Sequence, residues 1–302
     1  MNLATPPPLV ALEQRLGAMI EAYDSQGNHR TGTDVDHGSA HSLVACARRL
    51  GVDATLEPFA LGRIDPQQSC LRVADRCVGG VPVFDADFTG PDGIRGRLGA
   101  LNSGAEIAVV ETEPFTLMEP QKEQRDAVAA ARHGRHKAVV VLTRGTVPGL
   151  FLLNALSFTT PSSPPMLQVS SVEADWLKAQ AAAQAEATIV AAAVRTTTQA
   201  FNVTATIAGS DRNLPPLVIM TPRSGWWQCA SERGGGLACW LETMRAIAHA
   251  GPKRDCLFLA CSGHELGFLG IDAYIDRRPD LIRGAHQWIH FCLLYTSDAA
   301  DE

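Results

Sequence analysis

Leu9, Leu12, Leu16, Met19 and Ile20 recur at three- and four-residue intervals behind a run of prolines, which predicts a helix over residues 9–22 with one apolar face. A polar stretch, SQGNHRTGTDVDHGSA, follows, and Leu43, Val44, Ala47 and Leu50 then mark a second amphipathic helix that Gly51 closes. ATLEPFAL reads as a strand. From about 63 to 195 the pattern shortens to β-like runs between turns: GGVPVF, AEIAVVE, KAVVVLTRG and PPMLQVS. One Ala-rich helix, VEADWLKAQAAAQAEA, lies near the end of that region. This region is expected to be a small α+β insert.

After 196 the pattern changes again. FNVTATIAG alternates like a half-exposed strand, while PLVIMT (216–221) and DCLFLACS (255–262) are the continuous apolar runs of strands covered on both faces. Between them lie the loop PRSGWWQCASERGGG and a helix through Leu237, Trp240, Leu241, Met244 and Ile247, ended by Gly251-Pro252. A helix to about Arg278 and the strand HQWIHF complete the series. Strand, helix, strand, helix, strand predicts an α/β fold: a doubly wound, mostly parallel sheet with helices on both faces. In such sheets ligands sit at the carboxyl ends of the strands, and both loops 222–236 and 262–266 leave strands there. The domain expectation is therefore 1–62 and 196–291 as one α/β domain, incomplete at its end, with 63–195 inserted.

The charge of −6 spread over 302 residues lacks the basic stripe that nucleic acid requires; RHGRHK (132–137) reads as a solvated helix end. No apolar run is long enough for a membrane span, and the amino terminus lacks a basic segment followed by an apolar core, which points to a cytoplasmic protein. The eight cysteines form no CxxC pair or framework spacing and read as buried, reduced thiols. The last eleven residues, CLLYTSDAADE, resemble the in-frame translation of a sequencing-library adapter. On that reading 292–302 is an artefactual tail and the natural chain continues past Phe291. The chain as given is then expected to be poorly stable, with PLVIMT or HQWIHF left as an unpaired edge.

The stretch SGHELGFLG (262–270) carries the candidate chemistry. It begins like the zinc-peptidase signature HExxH, but Phe268 stands where the second imidazole belongs. Glu265 at a helix start also suits the helix dipole without any ligand. Ser224, Ser231, Glu232, Arg233, His264 and Glu265 are expected to converge at the strand ends, with Trp226 and Trp227 either an aromatic wall or core. His29, Arg30, Asp36, His37 and His41 either reach the same cleft or form a solvated loop face. RGGG (233–236) either binds an anion through backbone amides or packs tightly. Neither serine sits in a GxSxG elbow, which argues against a serine hydrolase.

These segments, in this order, resemble family 28 of the metallopeptidases, the two-zinc aminopeptidases and carboxypeptidases. HRTGTDVDHGSAHSLVACARRLG is similar to the family's opening loop and helix, 63–195 to its protease-associated insert, and the run from NVTATIAG to GIDAYI to its metal-binding core. The resemblance implies a zinc-dependent exopeptidase fold acting on peptides, but the chain departs from the ligand pattern. Pro222 and Ser224 stand at the His-x-Asp positions, and Ser231 and Glu232 at the bridging Asp-Asp turn. His264 takes the general-base position, and Glu265 alone keeps a ligand carboxylate. The remaining Asp and His ligands are expected beyond Phe291. On this resemblance Glu265 and Glu232 are the candidate metal residues, and Ser224, Trp226, Ser231 and Arg233 line the cleft. Zinc is expected to be absent or atypically bound, and the partner to be a peptide or small-molecule ligand. These departures imply a homologue with a degenerate metal site, non-catalytic or of altered chemistry, that binds a peptide or small ligand in the cleft. The alternative is an active hydrolase with ligation by Glu232, His264, Glu265 and residues beyond Phe291.

Overall fold

The computed structural model describes residues 9–112, 122–145 and 147–292. Of the adapter-like tail only Cys292 is among them; the reading of 293–302 lies outside the described residues. In chain order the elements begin with α1 (Leu9–Asp24), α2 (Asp34–Arg49), β1 (Ala54–Val73), β2 (Arg76–Pro82), β3 (Ile94–Ala100) and β4 (Ile107–Thr112). Next come α3 (Lys122–Arg132), β5 (Ala138–Thr143), β6 (Met166–Ser170), α4 (Ala174–Ala182) and β7 (Glu186–Ile207). The chain ends with β8 (Leu217–Pro222), α5 (Gly235–Ala250), β9 (Cys256–Cys261), α6 (Leu269–Asp276), α7 (Leu281–Gly284) and β10 (Gln287–His290). They divide into two compact units, residues 1–61 with 197–302, and residues 62–196.

In the first unit the strand order is β7-β9-β8-β10, with β8 parallel to both β9 and β10 and β7 antiparallel to β9. The apolar runs are continuous because both faces are covered. Ile219, Phe258 and Ala260 point to one face, where Leu43 of α2 and Leu237, Trp240 and Met244 of α5 pack on them. Met220, Leu259 and Cys261 alternate to the other face, against Ile271 and Tyr274 of α6. The Trp240 indole donates to the Ile219 carbonyl at 3.1 Å, so even the largest buried side chain leaves no polar atom unpaired. Thr33 caps α2 by accepting from the Asp36 amide, and Gly51 at φ 77° ends the turn beyond it.

Several sequence expectations need correction. PLVIMT is not an edge: β8 has a partner on each side, while β10 has one, β8, among the described residues. The single helix expected after DCLFLACS is broken, because Gly267 at φ 73° and Phe268 at φ 66° end a short 3-10 turn (His264–Leu266) before α6 begins. β7 runs unbroken from Glu186 to Ile207 and gives residues to both units, so the strand expected at FNVTATIAG is the second half of a longer one. The Ala-rich helix is shorter than its composition predicts; Gln184 at φ 51° turns the chain, and Glu186 already lies in β7.

The second unit is a sheet ordered β1-β2-β6-β5-β4-β3-β7, to which β1 gives its carboxyl-terminal and β7 its amino-terminal residues. β3, β4, β5 and β6 run parallel to one another; the outer pairings β1–β2, β2–β6 and β3–β7 are antiparallel. Leu98, Ile107, Val140 and Leu142 face Leu177 of α4, and Ala108, Val139 and Val141 face Val128 and Ala131 of α3. The cysteines are not uniformly buried as expected: Cys70, Cys256 and Cys261 are, whereas Cys77 on β2 is exposed.

Candidate functional site

The carboxyl ends of β8 and β9 in the first unit carry a closed set of buried polar side chains. Gly263, at φ 79°, turns the chain out of β9 and presents Glu265, which is 0% exposed. One Glu265 oxygen accepts from the Thr31 hydroxyl at 2.5 Å and the Thr31 amide at 3.2 Å. The other accepts from the Ser224 hydroxyl at 2.7 Å. Both hydroxyl oxygens in turn accept from the Gly263 amide, at 3.0 Å from Thr31 and 2.7 Å from Ser224. Burial pushes the Glu265 carboxyl up, and the Thr31 and Ser224 hydrogen bonds and the charge of Arg233 oppose that rise.

A second carboxylate lies one hydroxyl away. The Ser262 side chain donates to Asp36, whose other partners are the Gly32 amide at 2.8 Å and the Arg223 guanidinium at 2.8 Å. Asp36 and Arg223 are both 0% exposed. Arg223 also donates to the Asp36 and Phe201 carbonyls, and its Nε is the one buried side-chain polar atom without a partner among the described residues. Arg233, 2% exposed, donates from Nε to the Ser224 carbonyl at 2.7 Å and pairs with Glu232 at 2.9 Å. Arg233 thereby holds the backbone that carries Glu265's serine partner. The segment delivering it is a π-helical turn (Ala230–Gly234) entered through Cys229 at φ 56°.

Of the residues singled out in the sequence, Ser224, Arg233, Glu265 and Asp36 meet in this set. Glu232 is half-exposed and directed to Arg233, and Ser231 is exposed. Trp226 is half-buried and Trp227 is 41% exposed. His264 lies edge-on to Phe268 and beside a cavity of about 50 Å³ lined with Met220, Cys261, Ile271 and His290. Burial, then the charges of Arg233 and His290, lower its imidazole to about 3, so it is neutral at pH 7. His29 does not join the set; it is buried, stacked on Tyr23 with ring centroids 3.6 Å apart, and burial lowers it to about 4. His37 meets the Gln199 carbonyl and the Phe201 ring, His41 is exposed, and Arg30 is half-buried. The glycine run serves packing: a Cβ at Gly236 would lie 2.8 Å from the Thr221 hydroxyl and 3.1 Å from the Phe291 carbonyl.

Thr31, Ser262, Arg223 and Asn202 were missed in the sequence. Asn202 accepts from the Ser262 amide and donates to the Gly270 carbonyl, fixing the turn that follows β9. The signal for Arg223 was present: a cation directly after a continuous apolar strand must find a buried partner.

These residues do not fit a zinc pair. Zinc sites draw three or more ligands from His, Cys, Asp and Glu. Among the described residues no group of three or more such side chains is placed to hold a metal. Pro222 brings no donor atom, the Ser224 hydroxyl is directed at Glu265, and both Glu265 oxygens are already satisfied. The guanidinium of Arg233 adds a positive charge that acts on Glu265 and His264 alike.

No protein-family model and no curated protein sequence matches the chain. Solved structures do. A zinc aminopeptidase from Bacillus subtilis superposes with a TM-score of 0.72 at 19% identity, covering 92% of this chain and 68% of that one. A family-28 peptidase precursor from Shewanella amazonensis gives 0.71 at 17% identity, covering 92% and 72%. An aminopeptidase from an Aneurinibacillus species gives 0.66 at 17% identity, covering 92% and 69%. At this identity the likeness establishes a shared α/β fold.

Proposed function

We propose that the chain is a non-catalytic relative of the zinc exopeptidases, which binds a peptide or small ligand at the carboxyl ends of its parallel strands. The observation that carries the reading is the state of Glu265. A metal ligand or base needs a free lone pair directed at solvent or substrate. Glu265 instead gives both oxygens to hydroxyls of its own chain and has no exposed surface. Recognition then falls to the accessible rim: Trp227, Ser231 and the half-exposed Glu232. On the same reading, residues 62–196 correspond to the protease-associated insert of the family.

The test has two parts. The chain is dialysed against zinc and its metal content measured, and Trp fluorescence is followed during titration with a library of short peptides. Substoichiometric metal together with saturable quenching is the expected result. Near-stoichiometric zinc lost on Glu265→Ala, with release of amino-terminal residues from peptides, would replace this reading with that of an active hydrolase ligated through Glu232, His264 and Glu265.

A further inference from the structure

The second unit holds a pair of thiols that the peptidase resemblance does not involve. β1 and β2 form a hairpin turned by Ala74 and Asp75, with Ala74 at φ 47°. Its register sets Val73 against Arg76, Arg72 against Cys77, Leu71 against Val78 and Cys70 against Gly79. Leu71, Val73 and Val78 face the apolar core. Strand alternation therefore places Cys70 and Cys77 together on the opposite face, as diagonal neighbours. The position directly across from Cys70 has no side chain, and a Cβ built on Gly79 would meet nothing within 4 Å. The space over Gly79, across from Cys70, is therefore open.

The two thiols differ in access. Cys77 is exposed; Cys70 is buried with Val190 and Ala192. Burial, with the Cys77 thiol beside it, pushes the Cys70 thiol up, and the Arg72 guanidinium opposes that rise. Arg72 lies directly across from Cys77, and a cation beside a thiol favours the thiolate, the form that attacks peroxide. An accessible thiol next to a shielded one, with a guanidinium in reach, is the arrangement of a peroxide-reactive cysteine and its resolving partner.

We propose that Cys70 and Cys77 are a peroxide-sensitive pair that closes to a disulfide within the β1–β2 hairpin. In the first step the Cys77 sulfur attacks the O–O bond of hydrogen peroxide and gives up its proton. It becomes a sulfenic acid, and one water leaves. In the second step the Cys70 sulfur displaces the sulfenic oxygen as a second water, and the S–S bond forms. Two thiols lose two electrons between them, and one peroxide is reduced to two waters. Diagonal Cα atoms lie about 7–8 Å apart, while a disulfide spans up to about 6.8 Å, so the hairpin must tighten by about 1 Å.

The experiment uses the full chain, treated with equimolar hydrogen peroxide, blocked with iodoacetamide, digested with trypsin without reductant and mapped by mass spectrometry. Trypsin cuts after Arg72 and Arg76, so a bridge joins two otherwise separate peptides, 64–72 and 77–95. That linked pair is expected as the main oxidised species. Cys70→Ser should leave Cys77 as a sulfenic acid that dimedone labels, and Cys77→Ser should leave Cys70 unoxidised at the same dose. Dimedone labelling or sulfinic acid at Cys77 in the unmutated chain without the linked peptides would overturn the proposal. So would a bridge that joins Cys77 to any other cysteine. Near-UV circular dichroism of each variant confirms that the fold is kept.

Discussion

The two units solve the same packing problem with opposite treatments of polar groups at their strand ends. Each has parallel strands at its centre and helices on both faces of its sheet. In residues 62–196 the strand ends bear small hydroxyls that serve local turns: Thr143 accepts from the Phe151 amide, and Ser171 exchanges bonds with Gly149. Of the charged pairs there, Asp85 with Arg132 keeps its arginine 19% exposed, and Glu111 meets Arg144 and Lys178, both about half exposed. The other unit buries Asp36, Arg223, Arg233 and Glu265 to 2% exposure or less, all near the carboxyl ends of β8 and β9. Removing ions from water costs several kcal/mol each unless they are paired and hydrogen bonded, and apolar residues of similar volume often give equal or greater stability. The second unit uses mostly the apolar solution. The first unit departs from that solution at these four charges.

The sharpest way to break this comparison is to remove one member of the ion pair between Asp36 and Arg223. Arg223→Met leaves Asp36 uncompensated in the interior and is expected to lower stability by about 3–5 kcal/mol in urea unfolding, with much recovered in the double variant Asp36→Leu/Arg223→Met. A loss under 1 kcal/mol would mean that the first unit tolerates its buried charges as easily as the second tolerates its threonines. Thr31→Val is nearly isosteric, but it takes a hydroxyl from a buried carboxylate and a partner from the Gly263 amide. A loss of about 2 kcal/mol is expected, and no loss would show that Ser224 alone satisfies the site.

Much of the fold can be read in the sequence because its signals are local. PLVIMT and DCLFLACS need only a run of apolar residues to be recognised as strands covered on both faces, and Gly51 and Gly251 mark helix ends through a positive φ. The 20-residue β1 escapes because Pro58, Gly62 and Pro66 interrupt it with residues that ordinarily end strands. IRGRLGA escapes as β3 because its alternation is between arginines and glycines rather than between charge and bulk. In the site, Glu265 and Ser224 sit on the two loops that leave strand ends and were legible on that ground. Asp36 is tied to them in the sequence only as one of two readings of its loop, and Thr31 not at all, since contacts across 226 and 234 residues have no signature in spacing. The π-helical turn that delivers Arg233 shifts the register of the SERGGG segment, which no pattern of side chains announces.

His29 sharpens the comparison through pH. It is stacked on Tyr23, its Nδ1 faces the Gln228 carbonyl at 3.0 Å, and the folded protein keeps it neutral down to about 4. The unfolded chain protonates the same imidazole near pH 6.5. The unfolded state thus binds more protons between those values, so stability is full above about pH 6.5 and declines as the pH falls toward about 4. Allowing for solvent screening, the loss is about 2 kcal/mol. His29→Phe, which keeps the stack, should flatten that part of the profile. An unchanged slope would move its origin to other groups.

The smallest effect comes from the surface of the second unit. Arg95 and Glu186 pair at 3.0 Å as diagonal neighbours on β3 and β7, but their side chains are 78% and 61% exposed. A pair so open to water gains little attraction, loses side-chain freedom and is screened by salt. Glu186→Gln is therefore expected to shift stability by less than about 0.5 kcal/mol, and by still less at 0.5 M salt. The value of this control lies in its distance from the Arg223 result. If both substitutions cost the same, burial would not be what distinguishes the charges of the two units, and Arg223 and Glu265 would lose their standing as signs of a site.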